Sequence, residues 1–545
     1  MPDFSTAPTA TRPDVPAADA ATVRGWLQDG QEIALLDVRE AGPFGEGHPF
    51  LAIPAPYSRL ESEVTRLVPR RTVRTVLLDG GDGVAERAAL RLAALGYSDL
   101  HVLRGGAPAW AAGGRALFKG VNVPSKTFGE LVEHAFGTPH IGPGELRRRQ
   151  QAGEPLALLD GRTFAEHGRM TVPGAVSVPN GELALHWRSL VPDERTPIVV
   201  HCAGRTRSII GAQILRSLGI PNPVVALENG TQGWALEGLA LEHGSTRRPA
   251  ARAPASAEDR AAAERLRSGT GAVRLAAAEA QGWIDDAART TYVLDVRSAE
   301  EFAAATLPGA IHAPGGQLLQ ATDQTIGVRN ARVLLLDDED VRAPVIAAWL
   351  WRLGYETATV EGGIRAPLRL PSPPAVAPTL PPAPQRIAAE ALAAWHAAHG
   401  PAVLDLQPSQ DHRRRHAVGA RWSIRPRVAD DALAAGWPAR PLLLLAPDAG
   451  TAALAAGELV PHGAGTVAWA RLQDWADAGL SEESTPQLPD DAQCIDYLFF
   501  VHDRHDGNLD AARRYLEWET GLIAQCAPEE LAGFRLPPAS SQTAQ

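Results

Sequence analysis

The sequence predicts an α/β protein of four tandem units, each a mostly parallel sheet flanked by helices, followed by a helical C-terminal tail. Three observations carry this. A short apolar strand ending in aspartate recurs four times, at Asp37, Asp160, Asp295 and Asp405, and the intervals of roughly 110 to 135 residues are each a domain's length. About forty residues after each aspartate comes a second strand with no polar residue in its middle, at 76–78, 198–200, 333–336 and 442–445. Apolar runs without alternation mark strands covered on both faces, as in parallel sheets. The segments after these strands switch to helical spacing and stop at Gly96, Gly219 and Gly354. Strands alternating with helices build βαβ units.

The units are placed at residues 16–118, 138–244, 272–368 and 386–480, the fourth being the least regular, and the tail at 490–537. Residues 244–254 form a basic, proline-containing linker, and 367–384 are proline-rich enough for a stiff, partly polyproline-II spacer. The first linker suggests two pairs, units one and two on one side and three and four on the other. In the tail, 494–501 and 509–526 read as helical, with Tyr515, Trp518 and Leu522 on one face. That face is expected to serve docking or oligomerisation.

The totals narrow the class. At 545 residues the chain exceeds one core, while 45% hydrophobic and 21% charged residues are ordinary for a soluble protein. A net charge of −11 argues against nucleic acid or an anionic membrane surface as main partner. Three distant cysteines make no disulfide framework and fit a reducing compartment. The first residues lack the basic and apolar regions of a signal peptide, and no apolar run approaches the ~20 residues of a membrane span. The expected location is cytoplasmic.

Chemistry concentrates in one stretch, 197–208. Ile198, Val199 and Val200 form a buried strand that delivers Cys202 into a loop, and a helix follows from Arg207 onward. Backbone N–H groups converge at such a junction, and the helix dipole favours negative charge there. Arg205 and Arg207 add two permanent positive charges, so the setting favours a nucleophilic thiolate without a dedicated base. A merely structural, buried cysteine is the competing reading. Only four residues separate Cys202 from Arg207, a tighter cradle than the phosphate-binding loop of cysteine-based phosphatases, which places that activity well behind.

Units one to three resemble the rhodanese family of sulfurtransferases, and the fourth does so weakly. In unit two the resemblance rests on Asp160-Gly-Arg162, Glu166-His-Gly-Arg169, Pro173-Gly-Ala175, the loop Cys202-Ala-Gly-Arg-Thr-Arg-Ser208, and Asn229-Gly230 with Trp234. Unit one shows Asp37-Val-Arg39, Gly45-Glu-Gly-His48, Gly96-Tyr97, and Gly105-Gly106 with Trp110. Unit three shows Asp295-Val-Arg297, Glu300-Glu-Phe302, Leu307-Pro-Gly-Ala310 and Gly362-Gly363. The resemblance implies ping-pong transfer. Cys202 takes sulfane sulfur from a donor such as thiosulfate, holds it as a persulfide, and passes it to a thiol or cyanide. It also implies that the backbone of Ala203, Gly204, Arg205, Thr206, Arg207 and Ser208 cradles the persulfide while the Arg205 and Arg207 side chains hold the donor's oxygens. Two arginines suit a dianion, whereas mercaptopyruvate users of the family commonly have a loop rich in glycine and serine. No cofactor or metal is called for, and a protein sulfur acceptor is a further expected partner.

The other units depart from this pattern. Stepping back from the helix-ending glycines by the Cys202-to-Gly219 interval leads to Asp79 in unit one and Asp337 in unit three, and near Ala446 to Asp448 unit four has no cysteine. These three units are expected to be inactive. A second reading makes the chain a sulfur-carrier scaffold whose inactive units dock a partner enzyme. Asp160 and Arg162 are expected to hold the domain together, Glu166 and His167 to lie near the site rim, His201 to fill the strand end, and Trp110, Trp234 and Trp475 to pack. Cys494 and Cys526 are expected to be incidental, with a relay thiol as the alternative, and 502–506 reads as a solvated turn rather than a metal site.

Overall fold

A computed structural model describes residues 15–250, 252–371, 380–505 and 507–538. Four five-stranded sheets are present, and the strands of each unit, taken in chain order, lie side by side as 1-5-4-2-3 with every pairing parallel. In unit two the strands are His140–Ile141, Ala157–Asp160, Val176–Ser177, Ile198–His201 and Val224–Leu227. Its inner strands are buried along their whole length, which explains their unbroken apolar sequence. The register is the same in all units: Asp37 lies opposite Leu78, Asp160 opposite His201, Asp295 opposite Leu336 and Asp405 opposite Leu445. The repeated aspartate thus marks the strand end from which the loop departs. Unit four adds a short antiparallel pair, His416–Ala417 with Glu482–Glu483, which ties it to the segment leading into the tail.

The units pair as two with three and one with four, not as the first linker suggested. The same turn, about twenty residues after the aspartate, makes both contacts. Gly181 of unit two lies against Gly315 and Gly316 of unit three so closely that an added Cβ would stand 2.8 Å from the Gly316 nitrogen. In the other pair, Arg425 of unit four donates to the Tyr57 carbonyl at 2.9 Å and to Glu61, and Tyr57 donates to Glu458 at 2.7 Å. The linker does not separate pairs because its charges are spent within one: Arg252 of the linker is clamped by Glu339 of unit three. Units one and three meet through another face, where buried Glu32 accepts from the Thr290 backbone and hydroxyl, both at 2.7 Å, and pairs with Arg70 and Arg289. The eight residues 372–379 of the second linker lie outside the described residues.

Two elements complete the frame. The helix Val123–Phe136 joins units one and two and packs on the helix Thr206–Ser217. The tail is a strap along its own chain. Ile495 accepts from the Gly42 backbone at 2.7 Å, Trp518 covers Gly120, and Arg535 donates from its backbone to Arg352 in unit three at 2.7 Å. The stretch 494–498 is non-helical; helices follow at Phe499–His502, Leu509–Thr520, Leu522–Gln525 and Pro528–Leu531. Tyr515 and Leu522 are buried, so the apolar face expected to dock elsewhere is used within the molecule.

Candidate active site

Cys202 follows directly on the strand Ile198–His201, and the helix Thr206–Ser217 begins four residues later. A helix leaves its first N–H groups without intrahelical partners. Among the described residues no acceptor engages those of Gly204 to Ser208. The thiol is 2% exposed, and Ser208 Oγ donates to Cys202 Sγ at 3.1 Å. The loop is fastened from behind: the Thr231 N–H donates to the Cys202 carbonyl at 2.9 Å and the Gln232 N–H to the Ala203 carbonyl at 3.0 Å. Gly230, with φ +53°, presses on the Cys202 carbonyl so closely that a Cβ would lie 2.2 Å away. Only glycine fits there, which gives Asn229-Gly230 its place in the motif.

Units one and three build the same fastening. The Ala107 N–H donates to the Asp79 carbonyl and the Ile364 N–H to the Asp337 carbonyl, each at 2.9 Å, and Gly106 and Gly363 make the same close approach. Asp79 and Asp337 thus occupy the geometric place of Cys202. Their carboxylates turn inward and take the loop's own donors. Asp79 accepts from Gly81 N at 2.8 Å and Ala85 N at 3.0 Å; Asp337 accepts from Asp340 N at 3.1 Å, Val341 N at 2.9 Å and Ala343 N at 3.2 Å. Burial pushes the Asp337 carboxyl up, and these bonds and Arg342 oppose the shift.

The two arginines are engaged by carboxylates. Arg205 pairs with Glu130 at 2.8 and 2.9 Å and with Glu133, both on the helix Val123–Phe136. Arg207 grips Glu166 with two bonds of 2.9 and 2.7 Å and donates to Gln317 of unit three at 3.3 Å. Burial raises Glu166, but Arg207 overrides it and holds the carboxyl at about 2. Glu130 is pushed up to about 7 by burial, against the pull of Arg205. Thr206 Oγ1 donates to Glu519 of the tail at 2.6 Å.

Beneath the loop, Asp160 accepts from the Arg162 side chain at 2.9 and 2.8 Å, from Thr171 at 2.8 Å and from His167 at 3.1 Å; all four residues are buried. Burial raises its carboxyl, and His201, Arg162 and His167 together bring it well below the usual range. His201 stands 3.8 Å from Asp160, with Nδ1 3.4 Å from the Cys202 carbonyl. His167 is locked between Asp160 and Ser245 at 2.9 Å.

Cys494 packs on the Pro489 carbonyl and Cys526 on the Leu522 carbonyl, and burial pushes the Cys526 thiol up to about 12. The 502–506 stretch extends beyond the described residues at Asp506. Sequence reasoning missed Lys126, Glu130, Glu133 and Glu519, which border the loop from segments given no catalytic part. A signal existed in 123–136, where Phe128, Val132 and Ala135 recur at helical spacing beside a charged stripe.

A sequence model of the rhodanese-like domain matches residues 19–113, 142–237 and 276–367, more than half of the chain. The chain belongs to the rhodanese family. The crystal structure of the thiosulfate sulfurtransferase from Pseudomonas aeruginosa is similar over 96% of this chain and 100% of its own, with 39% identity and a TM-score of 0.87. Curated relatives are shorter matches: the HTH-type transcriptional regulator Rv0324 of Mycobacterium tuberculosis is 34% identical over 113 residues, and the putative sulfur carrier protein YrkF of Bacillus subtilis 26% over 102. The matches cover 20% and 19% of this chain, and the chain spans about half the length of each relative. Among the described residues no helix is long and apolar enough to cross a membrane.

Proposed function

We propose that this rhodanese is a sulfurtransferase moving sulfane sulfur from thiosulfate or a related donor to a thiol or cyanide through Cys202. The observation that carries this is the contrast between loops. At Asp79 and Asp337 the loop donors are taken by the unit's own carboxylate, whereas around Cys202 the first-turn N–H groups are without acceptors among the described residues and Ser208 Oγ donates to the sulfur.

The Cys202 thiolate attacks the sulfane sulfur of thiosulfate; the new S–S bond forms on Sγ, the donor's S–S bond breaks, and sulfite leaves with its electron pair. The N–H groups of the helix's first turn and Ser208 Oγ hold the terminal sulfur of the persulfide. An acceptor thiolate then attacks that sulfur and regenerates Cys202. Arg205 and Arg207 reach the donor's oxygens by exchanging Glu130 or Glu166 for them. Units one, three and four, lacking the thiol, act as scaffold. The test is turnover of thiosulfate with cyanide by the wild type and Cys202→Ser: the reading requires loss in the variant.

A sulfur-carrier reading, in which the units without the cysteine dock a partner enzyme, stands second. It predicts persulfide transfer to one protein far faster than to small thiols.

A further inference from the structure

The charges around the Cys202 loop add up differently from the motif alone. Lys126, Arg205, Arg207 and Arg504 are cationic, and Glu130, Glu133, Glu166 and Glu519 stand against them. Glu519 comes from the tail and is 1% exposed. A Cβ on Gly204, two residues from the thiol, would lie 3.0 Å from Glu519 Oε2. Its other oxygen is spent: Oε1 accepts from Thr206 at 2.6 Å and lies 3.6 Å from Lys126 Nζ. Burial raises the Glu519 carboxyl, and Lys126, the Thr206 hydroxyl, Arg504 and Arg205 together bring it below its ordinary value.

Oε2 has no hydrogen-bond partner among the described residues. Nor has the side-chain amide of Gln232, 4% exposed, on the helix Gly230–Leu236 that packs against both the loop and the tail helix. A buried carboxylate oxygen without a donor costs free energy unless a bound group supplies one. A dianion approaching this carboxylate is repelled, whereas an ammonium is paired.

We propose that Glu519 is a specificity determinant which selects, among sulfur donors, hydropersulfides of thiols that carry an ammonium group. This rests on the sulfurtransferase reading and narrows its donor. The Cys202 thiolate attacks the outer sulfur of RS–SH; the Sγ–S bond forms, the RS–S bond breaks, and RS⁻ leaves with the electron pair while the proton stays on the Cys202 hydropersulfide. The ammonium of R donates to Glu519 Oε2. Lys126 is a positioning residue, holding the Glu519 carboxylate at the loop.

The test is the rate of Cys202 persulfide formation on the full chain, by rapid-quench intact mass, with cysteamine hydropersulfide and with thiosulfate. The ratio of the two rates is the readout. Glu519→Gln is expected to lower the ratio about tenfold, and Lys126→Gln, which removes the cation that keeps the buried carboxylate charged and in place, to lower it as well. A merely structural role would change both rates by one factor in each variant. A ratio unchanged or raised in either variant overturns the proposal. Should Glu519→Gln fail to fold, the Lys126→Gln ratio decides. Failure of wild-type Cys202 to gain sulfur from either donor overturns the sulfurtransferase reading itself.

Discussion

Arg207 and Arg342 hold the same position in units two and three, five residues beyond Cys202 and Asp337, and each reaches across to the other unit. Arg207 meets Gln317 at 3.3 Å; Arg342 meets Glu182 at 3.1 Å. Each also grips the matching glutamate of its own unit, Glu166 or Glu301. The two sites are thus related by a pseudo-twofold arrangement with two differences around the arginine, Gln317 against Glu182 and Ala203 against Asp338. Arg342 faces three carboxylates, counting Asp338, whereas Arg207 faces one carboxylate and one neutral amide. More positive potential is left beside the cysteine than beside the aspartate.

Gln317→Glu tests this directly. It copies the Glu182 contact of Arg342 and places a second carboxylate on Arg207. Persulfide formation at Cys202 is expected to slow about tenfold, the effect of roughly 1.4 kcal/mol between nearby charges, with the melting temperature nearly unchanged. Equal rates would show that Arg207 does not act through its charge.

Arg207→Lys keeps the charge and removes the two-pronged grip on Glu166. A point charge cannot reproduce bidentate geometry. Turnover with thiosulfate is expected to fall at least tenfold, and steady-state kinetics on the purified variant give the answer.

Glu130 makes a pH prediction. Its carboxyl is raised from 4.5 to about 7, so its stabilising contribution is complete below 4.5 and is lost as pH rises through about 7. Glu130→Gln is therefore expected to flatten the stability profile between those pH values relative to wild type. Thermal melts of both proteins from pH 4 to 8 measure the difference.

Gly120→Ala tests the strap. Gly120 has φ +87°, and a Cβ would lie 2.5 Å from Trp518. Strain at positive φ and displacement of the indole both act against docking of the tail. Faster proteolysis within residues 509–525 and a loss of ~1–3 kcal/mol are expected, read by limited digestion and by denaturation.

The fold was legible because its signals are local and repeated: an apolar strand ending in aspartate, a second apolar strand, a helix stopped by glycine. Cys202, Arg205 and Arg207 stood out for the same reason. What the sequence did not disclose depends on contacts between distant segments. The 2–3 and 1–4 pairing rests on surfaces such as Gly181 against Gly316, which have no local signature. The carboxylates that occupy Arg205, and Glu519 above Gly204, reach the loop from about 75 and 310 positions away, and only folding brings them together.

The most direct measurement of the central claim is the intact mass of the purified chain before and after thiosulfate, beside Cys202→Ser. The account predicts a gain of ~32 Da per chain, absent in the variant and removed by cyanide. A gain that persists in Cys202→Ser, or none in the wild type with any sulfane donor, would contradict it.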